Sequence, residues 1–259
     1  MKSYNASVLI LSCDKNYDLY KWINRTCDCF LNLGIECVLV TENDIDNFDK
    51  RINSFATHNN NFDERFVFGV EQCKNDNVIV FLDDYYVHDE HLDVKLINWL
   101  EVIEKEQLAA LRIASIKKMY IKKKKIKKGY YSLSRIQPYE IDFHPTIWNK
   151  KELLALIKNR RFSPWSLEPC FALYLEDKKS GITKETIQYD ELIIQGAFFK
   201  KPYKRYCSRE YEGNKRIAKG RKFVARSFKV FIFNISPYWL VHLLRKLFKI
   251  KSVSAEAEL

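Results

Sequence analysis

The chain has 259 residues, 47% of them hydrophobic and 14% aromatic, with only 7 glycines and 6 prolines. That is enough for a sizeable core and leaves little scope for long disordered linkers. The net charge of +11 is uneven: residues 1–199 hold 28 basic and 29 acidic side chains, whereas residues 200–251 hold 16 and 2. The larger part is close to neutral, which argues against nucleic acid as its principal ligand.

The seven cysteines are odd in number, form no CxxC pair and mostly sit in apolar segments. Reduced, buried thiols in a reducing compartment fit this better than disulfides or a zinc site. The apolar run near the N-terminus is too short for a signal-peptide core, so the expected location is cytoplasmic.

Ala6 to Leu11 (ASVLIL) reads as a buried strand, followed by Ser12, Cys13 and Asp14. Residues 16–33 repeat apolar side chains at three- and four-residue steps, which predicts a helix stopped by Gly34. Residues 35–41 (IECVLVT) predict a second strand, ending in Thr41 and Glu42. Strand, helix and strand in this order make a parallel βαβ unit. Residues 42–61 are polar and read as loop with a short helix, and residues 62–74 as helix.

Asn77 to Val87 (NVIVFLDDYYV) is the organising stretch. Its short, continuous apolar run reads as a central strand buried on both faces. Asp83 and Asp84 then fall at the carboxyl edge, where open α/β sheets bind ligands. Two acids there suit a divalent cation on a pyrophosphate, although a solvated loop after a core strand would carry them equally well.

Residues 88–107 predict an amphipathic helix and residues 108–114 (LAALRIA) a strand. Arg112 within it faces either a cleft or a surface edge. Residues 117–128 contain eight lysines and lead to Gly129, Tyr130 and Tyr131. They read as an exposed hairpin or loop, or as an anion-binding arm. Residues 139–148 are extended, 150–158 helical, and Ser163-Pro164 opens another helix. Glu168 then falls in the first turns, where free N–H groups would keep it ionised. Beside Trp165 it suits a general base, or it is ordinary helix-start chemistry. Asp190 and Glu191 read as the start of a helix, with a reserve acidic role.

Four stretches together resemble the small GT-A-type glycosyltransferases of bacterial capsule and O-antigen synthesis. They are SCDKNYDLY (12–20), FLDDYY (81–86), HPTIWNKKELL (144–154) and SPWSLE (163–168). The family's stretches look like SCDKYSDLW, LDDYF, QPAIW and NPWEFE, in the same order. The resemblance spans roughly residues 5–205. It implies an α/β GT-A fold: a Rossmann-like, mostly parallel sheet with helices on both faces. It also implies a nucleotide-sugar donor, UDP-linked by preference, and hexosyl transfer to a lipid-linked saccharide. The donor contacts implied are Ser12, Asp14, Thr41, Asp83, Asp84, Arg112 and His144, with Glu168 and Asp84 catalytic. Tyr85 stands where the second acid of a DxD motif would be. Asp84 is therefore the expected ligand for Mn2+ or Mg2+, unless the enzyme works without metal. Ser166 replaces the first acid of NPWEFE, which leaves Glu168.

Expected domains are residues 1–206, the transferase, and 207–259, a basic helical appendage. Residues 238–250 (YWLVHLLRKLFKI) place Trp239, Leu240, Leu243, Leu244 and Leu247 on one stripe and His242, Arg245, Lys246 and Lys249 on the other. That pattern suits peripheral attachment to the anionic inner face of the cell membrane, or packing of the apolar stripe on the domain. Rival functions are a sugar nucleotidyltransferase and a non-catalytic basic module docking on membrane or nucleic acid. Neither GxGxxG nor GxxxxGK[ST] occurs, which counts against the first rival.

Overall fold

The computed structural model describes residues 4–46, 48–116, 125–133, 140–175, 177–194, 197–199 and 223–224. Compact packing divides the chain into residues 1–189 and residues 190–259.

The first unit is built on a nine-stranded sheet in the order β3-β2-β1-β4-β9-β6-β10-β8-β7. These strands are β1 (Ala6–Leu11), β2 (Glu36–Thr41), β3 (Asn53–Ala56), β4 (Asn77–Leu82), β6 (Ala110–Arg112), β7 (Lys125–Ile126), β8 (Tyr130–Leu133), β9 (Thr146–Asn149) and β10 (Ser180–Thr183). A short strand, β5 (Tyr85–Val87), lies outside the large sheet. The half containing β3, β2, β1 and β4 is parallel throughout. β9 then runs antiparallel between β4 and β6, while β6 and β10 are parallel to each other. Among the described residues the helices beside the sheet are α1 (Tyr20–Leu31), α2 (Phe62–Gln72), α3 (Leu92–Glu106), α4 (Lys150–Ile157) and α5 (Pro164–Tyr174).

The strand periodicity of two decides what each face buries. In β1, Val8 and Ile10 join the core with Ile23, Cys27 and Phe30 of α1 and Leu96, Trp99 and Ile103 of α3. Leu9 and Leu11 join the opposite core with Phe66 and Val70 of α2, Leu153 and Leu156 of α4, and Leu167 and Phe171 of α5. All six residues of β1 are buried, as a strand covered on both faces must be. The α/β expectation, with helices on both faces, therefore holds.

Several local expectations need correction. The helix expected from residue 16 begins as a 3-10 turn over Asp14–Leu19, and the α-helix starts only at Tyr20. The polar stretch 42–61 contributes strand β3, which is half exposed at the sheet edge and so lacks an apolar run. Arg112 lies neither at an edge nor on the surface, because β6 is flanked by β9 and β10. Asp190 and Glu191 belong to strand β11 (Tyr189–Glu191) rather than to a helix. In the second unit, β12 (Ile193–Ile194), β13 (Ala197–Phe199) and β14 (Phe223–Val224) form a small sheet. Phe223 and Val224 are thus strand residues. The expected amphipathic helix 238–250 lies outside the described residues, as do most of the lysines of 117–128. Lys125 and Ile126 do form the expected hairpin with β8, and Gly129 turns it at a positive φ of 85°.

Gly69 lets α2 approach the parallel sheet. A Cβ there would lie 2.7 Å from Leu9 Cδ1 and 3.0 Å from Val40 Cγ2, both in buried residues. Gly69→Val should destabilise the protein by about 1–3 kcal/mol through overpacking. Urea unfolding followed by circular dichroism would read this as a lower midpoint, and an unchanged midpoint would disprove the close-approach role.

Candidate functional site

The chain order reverses at β1. β2 and β3 lie on one side of it, and β4 lies on the other. The crevice beyond the carboxyl ends of β1 and β4 is therefore a topological switch point. Register pairs Leu11 with Leu82, so Ser12 and Asp83 leave the sheet side by side.

Asp83 is nearly buried and well satisfied. Its carboxylate accepts from Ser12 Oγ at 2.7 Å, from the Cys13 N–H at 3.3 Å and from Asn16 Nδ2 at 2.9 Å. Burying a carboxylate demands such donors. Asp83 thus ties the end of β1 to the end of β4. Asp84, half exposed, is the better placed of the two for a ligand. Tyr85 is buried and meets Tyr189 edge-on and His144 at a tilt, with ring centroids 5.2 and 5.8 Å away. Among the described residues no group of three His, Cys, Asp or Glu side chains is placed to hold a metal ion, so a cation beside Asp84 would need further oxygens from a ligand.

Beside this tie lies a polar network at the ends of β1 and β2. The Asp14 N–H donates to Glu42 at 3.0 Å, Asn43 Nδ2 donates to the Asp14 carboxylate, and Arg65 pairs with Glu42 at 3.0 Å. Thr41 is fully buried, and its hydroxyl lies 2.8 Å from the Asn43 carbonyl. Burial and the nearby Asp83 and Glu42 charges push the Cys13 thiol up to about 11, so it stays protonated at neutral pH.

A second group forms at the same edge, where β6 ends and β9 begins. Arg112 donates to Asp142 Oδ1 at 2.6 Å and to the Glu140 carbonyl at 3.3 Å. His144 donates its backbone N–H to the same Asp142 oxygen at 2.9 Å, and its Nδ1 also lies 2.9 Å from that oxygen. Burial works against ionisation of Asp142, but His144 and Arg112 outweigh it and hold the carboxyl well below the usual range.

Glu168 faces this cluster from α5. The Phe143 N–H donates to its Oε1 at 3.4 Å. Burial, and next the Asp142 charge, push Glu168 up to about 7, against the opposing Phe143 N–H, His144 and Arg112. The expected cause of ionisation, the free N–H groups of a first turn, is overturned. α5 starts at Pro164, so Glu168 is its fifth residue. The helix start is closed instead by Ser163 and Ser166. The Ser166 N–H donates to Ser163 Oγ at 3.3 Å, and the Ser163 N–H donates to Ser166 Oγ at 2.8 Å. Ser166 thus serves as a cap. The Trp165 side chain lies outside the described residues.

The structure brings Ser12, Asp14, Thr41, Asp83, Asp84, Arg112, His144 and Glu168 to one end of the sheet. It adds Asn16, Glu42, Arg65 and Asp142. Asn16 lies inside the quoted SCDKNYDLY stretch, so its polar amide was a usable signal. Asp142 sits in a segment with no periodic pattern, and its partner Arg112 is 30 residues away.

No family model matches the sequence, and no curated protein matches it. Among solved structures, S. aureus TarS 1-349 aligns with 71% of this chain and 59% of its own, at 11% identity and a TM-score of 0.48. The chain therefore spans about three-fifths of the TarS fragment. Mannosyltransferase PcManGT from Pyrobaculum calidifontis, solved with GDP-Man and Mn2+, aligns with 75% of this chain and 59% of its own at 12% identity, with a TM-score of 0.48. An apo UDP-glucose pyrophosphorylase aligns with 71% of this chain and 93% of its own at 11% identity, with a TM-score of 0.46. These likenesses assign no residue role and no activity to this chain.

A raised Glu168 has a stability consequence. Between the unfolded value near 4.5 and the folded value of about 7, the folded state binds the extra proton, so stability falls as pH rises through that window. Glu168→Gln removes the loss. The variant's melting temperature should exceed that of the wild type at pH 8, with a smaller difference at pH 5. An equal difference at both would show that Glu168 titrates normally.

Proposed function

We propose that the chain is a glycosyltransferase, moving a sugar from a nucleotide-sugar donor, UDP-linked by preference, to a saccharide hydroxyl. The observation that carries this is the placement of two different carboxylates, Asp84 and the half-buried Glu168, at the same edge of the sheet. In this reading Asp84 serves the charged leaving group and Glu168 takes the proton.

The acceptor oxygen forms a bond to the anomeric carbon, and the bond from that carbon to the diphosphate oxygen breaks. The electron pair leaves with the nucleoside diphosphate, and the hydroxyl proton passes to Glu168. A proton affinity near neutrality suits that task. It also implies a rate that rises through about pH 7, because only the ionised carboxylate accepts a proton. Asp84 would hold Mn2+ or Mg2+, which when bound neutralises charge building on the diphosphate. Asp83 supports the floor of this site through Ser12, Cys13 and Asn16. Arg112 is paired with Asp142, which counts against its replacing a metal ion at the diphosphate.

Thermal shift with UDP, GDP, CDP and dTDP, each with and without Mn2+, tests the donor site. One nucleotide should raise the melting temperature, and Asp84→Asn should remove the Mn2+-dependent part. No shift with any of them would refute the transferase. Once a donor is known, Glu168→Gln should lower turnover by about 100-fold or more with donor binding intact.

The acceptor is proposed to be lipid-linked, presented at the anionic inner membrane face. The support is the basic amphipathic sequence of residues 238–250. No helix among the described residues is long and apolar enough to cross a membrane. A chain ending before Lys222 should lose sedimentation with anionic vesicles. Equal sedimentation of short and full chains would refute membrane attachment and leave the transferase untouched.

A further inference from the structure

The cluster beside Glu168 contains more charge than packing requires. Arg112 enters from the end of β6, and Glu140, Asp142 and His144 come from the segment before β9. Asp142 lies between the Arg112 guanidinium and the His144 ring. Side-chain exposure is 4% for Arg112, 7% for Asp142 and 35% for His144, so the array runs from the interior to the site's mouth. Apolar residues of similar volume usually fill a buried space at no loss of stability compared with an ion pair. The pair therefore calls for a role besides filling.

Two features of geometry indicate that role. Asp142 Oδ1 accepts the His144 backbone N–H at 2.9 Å and lies 2.9 Å from the ring Nδ1, so His144 is tied to this carboxylate through its backbone with the ring beside it. The Tyr85 ring lies 5.8 Å from the imidazole in a tilted arrangement. The Phe143 N–H, between Asp142 and His144 in sequence, reaches Glu168. One short segment thus touches the proposed base and orients the histidine.

We propose that Asp142 is a positioning residue: its buried negative charge, balanced from behind by Arg112, opposes a second negative charge on Glu168 and orients the His144 ring. Its catalytic consequence rests on Glu168 being the base, but the electrostatic relation does not depend on turnover. Without Asp142, Glu168 would give up its proton more readily and be a weaker base for the acceptor hydroxyl.

The test is a carboxyl 13C titration of the full chain labelled at glutamate, with Glu168→Gln used to assign the signal. Wild-type Glu168 should titrate near pH 7. Asp142→Asn should lower the midpoint by about one pH unit, as expected for loss of a nearby like charge. If that variant does not fold because Arg112 is left uncompensated, the double variant Arg112→Gln with Asp142→Asn removes both charges. Its midpoint should also fall, by less. A midpoint unmoved in the folded variant overturns the proposal, and so does a wild-type midpoint in the ordinary carboxylate range. A correct titration with no nucleotide shift would keep this relation and remove the transferase instead.

Discussion

The site depends on the buried carboxylate of Asp83. A charge taken out of water must find donors, and here three come from the segment after β1: Ser12, the Cys13 amide and Asn16. That requirement binds the turn after β1 to the turn after β4. It fixes the floor of the crevice where the chain reverses direction across the sheet. Asp84 then occupies the next position in the chain and is half-buried.

A second constraint comes from the antiparallel insertion of β9 between β4 and β6. Its register places Thr146 opposite both Val80 and Arg112. The segment that leads into β9 therefore arrives at the same edge as the ends of β4 and β6. This brings Asp142 onto Arg112, and His144 onto Tyr85. The opposite-charge pair is held in a place where water is scarce, so its field reaches Glu168 with little screening. Two carboxylates in one pocket are pushed apart in proton affinity by their neighbours: Asp142 keeps its charge, and Glu168 holds its proton to near neutrality.

Packing supports this division. The parallel strands are apolar on both faces, which lets α1 and α3 cover one side and α2, α4 and α5 the other. Gly69 brings α2 close to β1 and β2. Glu168 is carried by α5, whose Leu167 and Phe171 are anchored in the second core. The proposed base thus sits on a packed helix rather than on a loop, and its position is set by the core.

Much of the sheet was legible in the residues themselves. Runs such as ASVLIL, IECVLVT and NVIVFL read as strands buried on both faces, because they are short, rich in branched apolar residues and leave little polar surface for water. The amphipathic periods of α1, α2 and α3 were equally plain, and Asp83, Asp84 and Ser12 follow from strand ends. Strands β3, β10 and β11 were missed, because short or polar strands draw their stability from partners distant in sequence. The sequence also could not place Arg112, since a lone arginine in an apolar strand gives no sign of Asp142. Nor could it foretell the proton affinity of Glu168, which helix position alone predicted with the wrong sign. Composition and period are local properties and were decided by the chain alone. Burial, charge pairing and the division of labour between carboxylates are properties of neighbours, and only the tertiary structure brings those neighbours together.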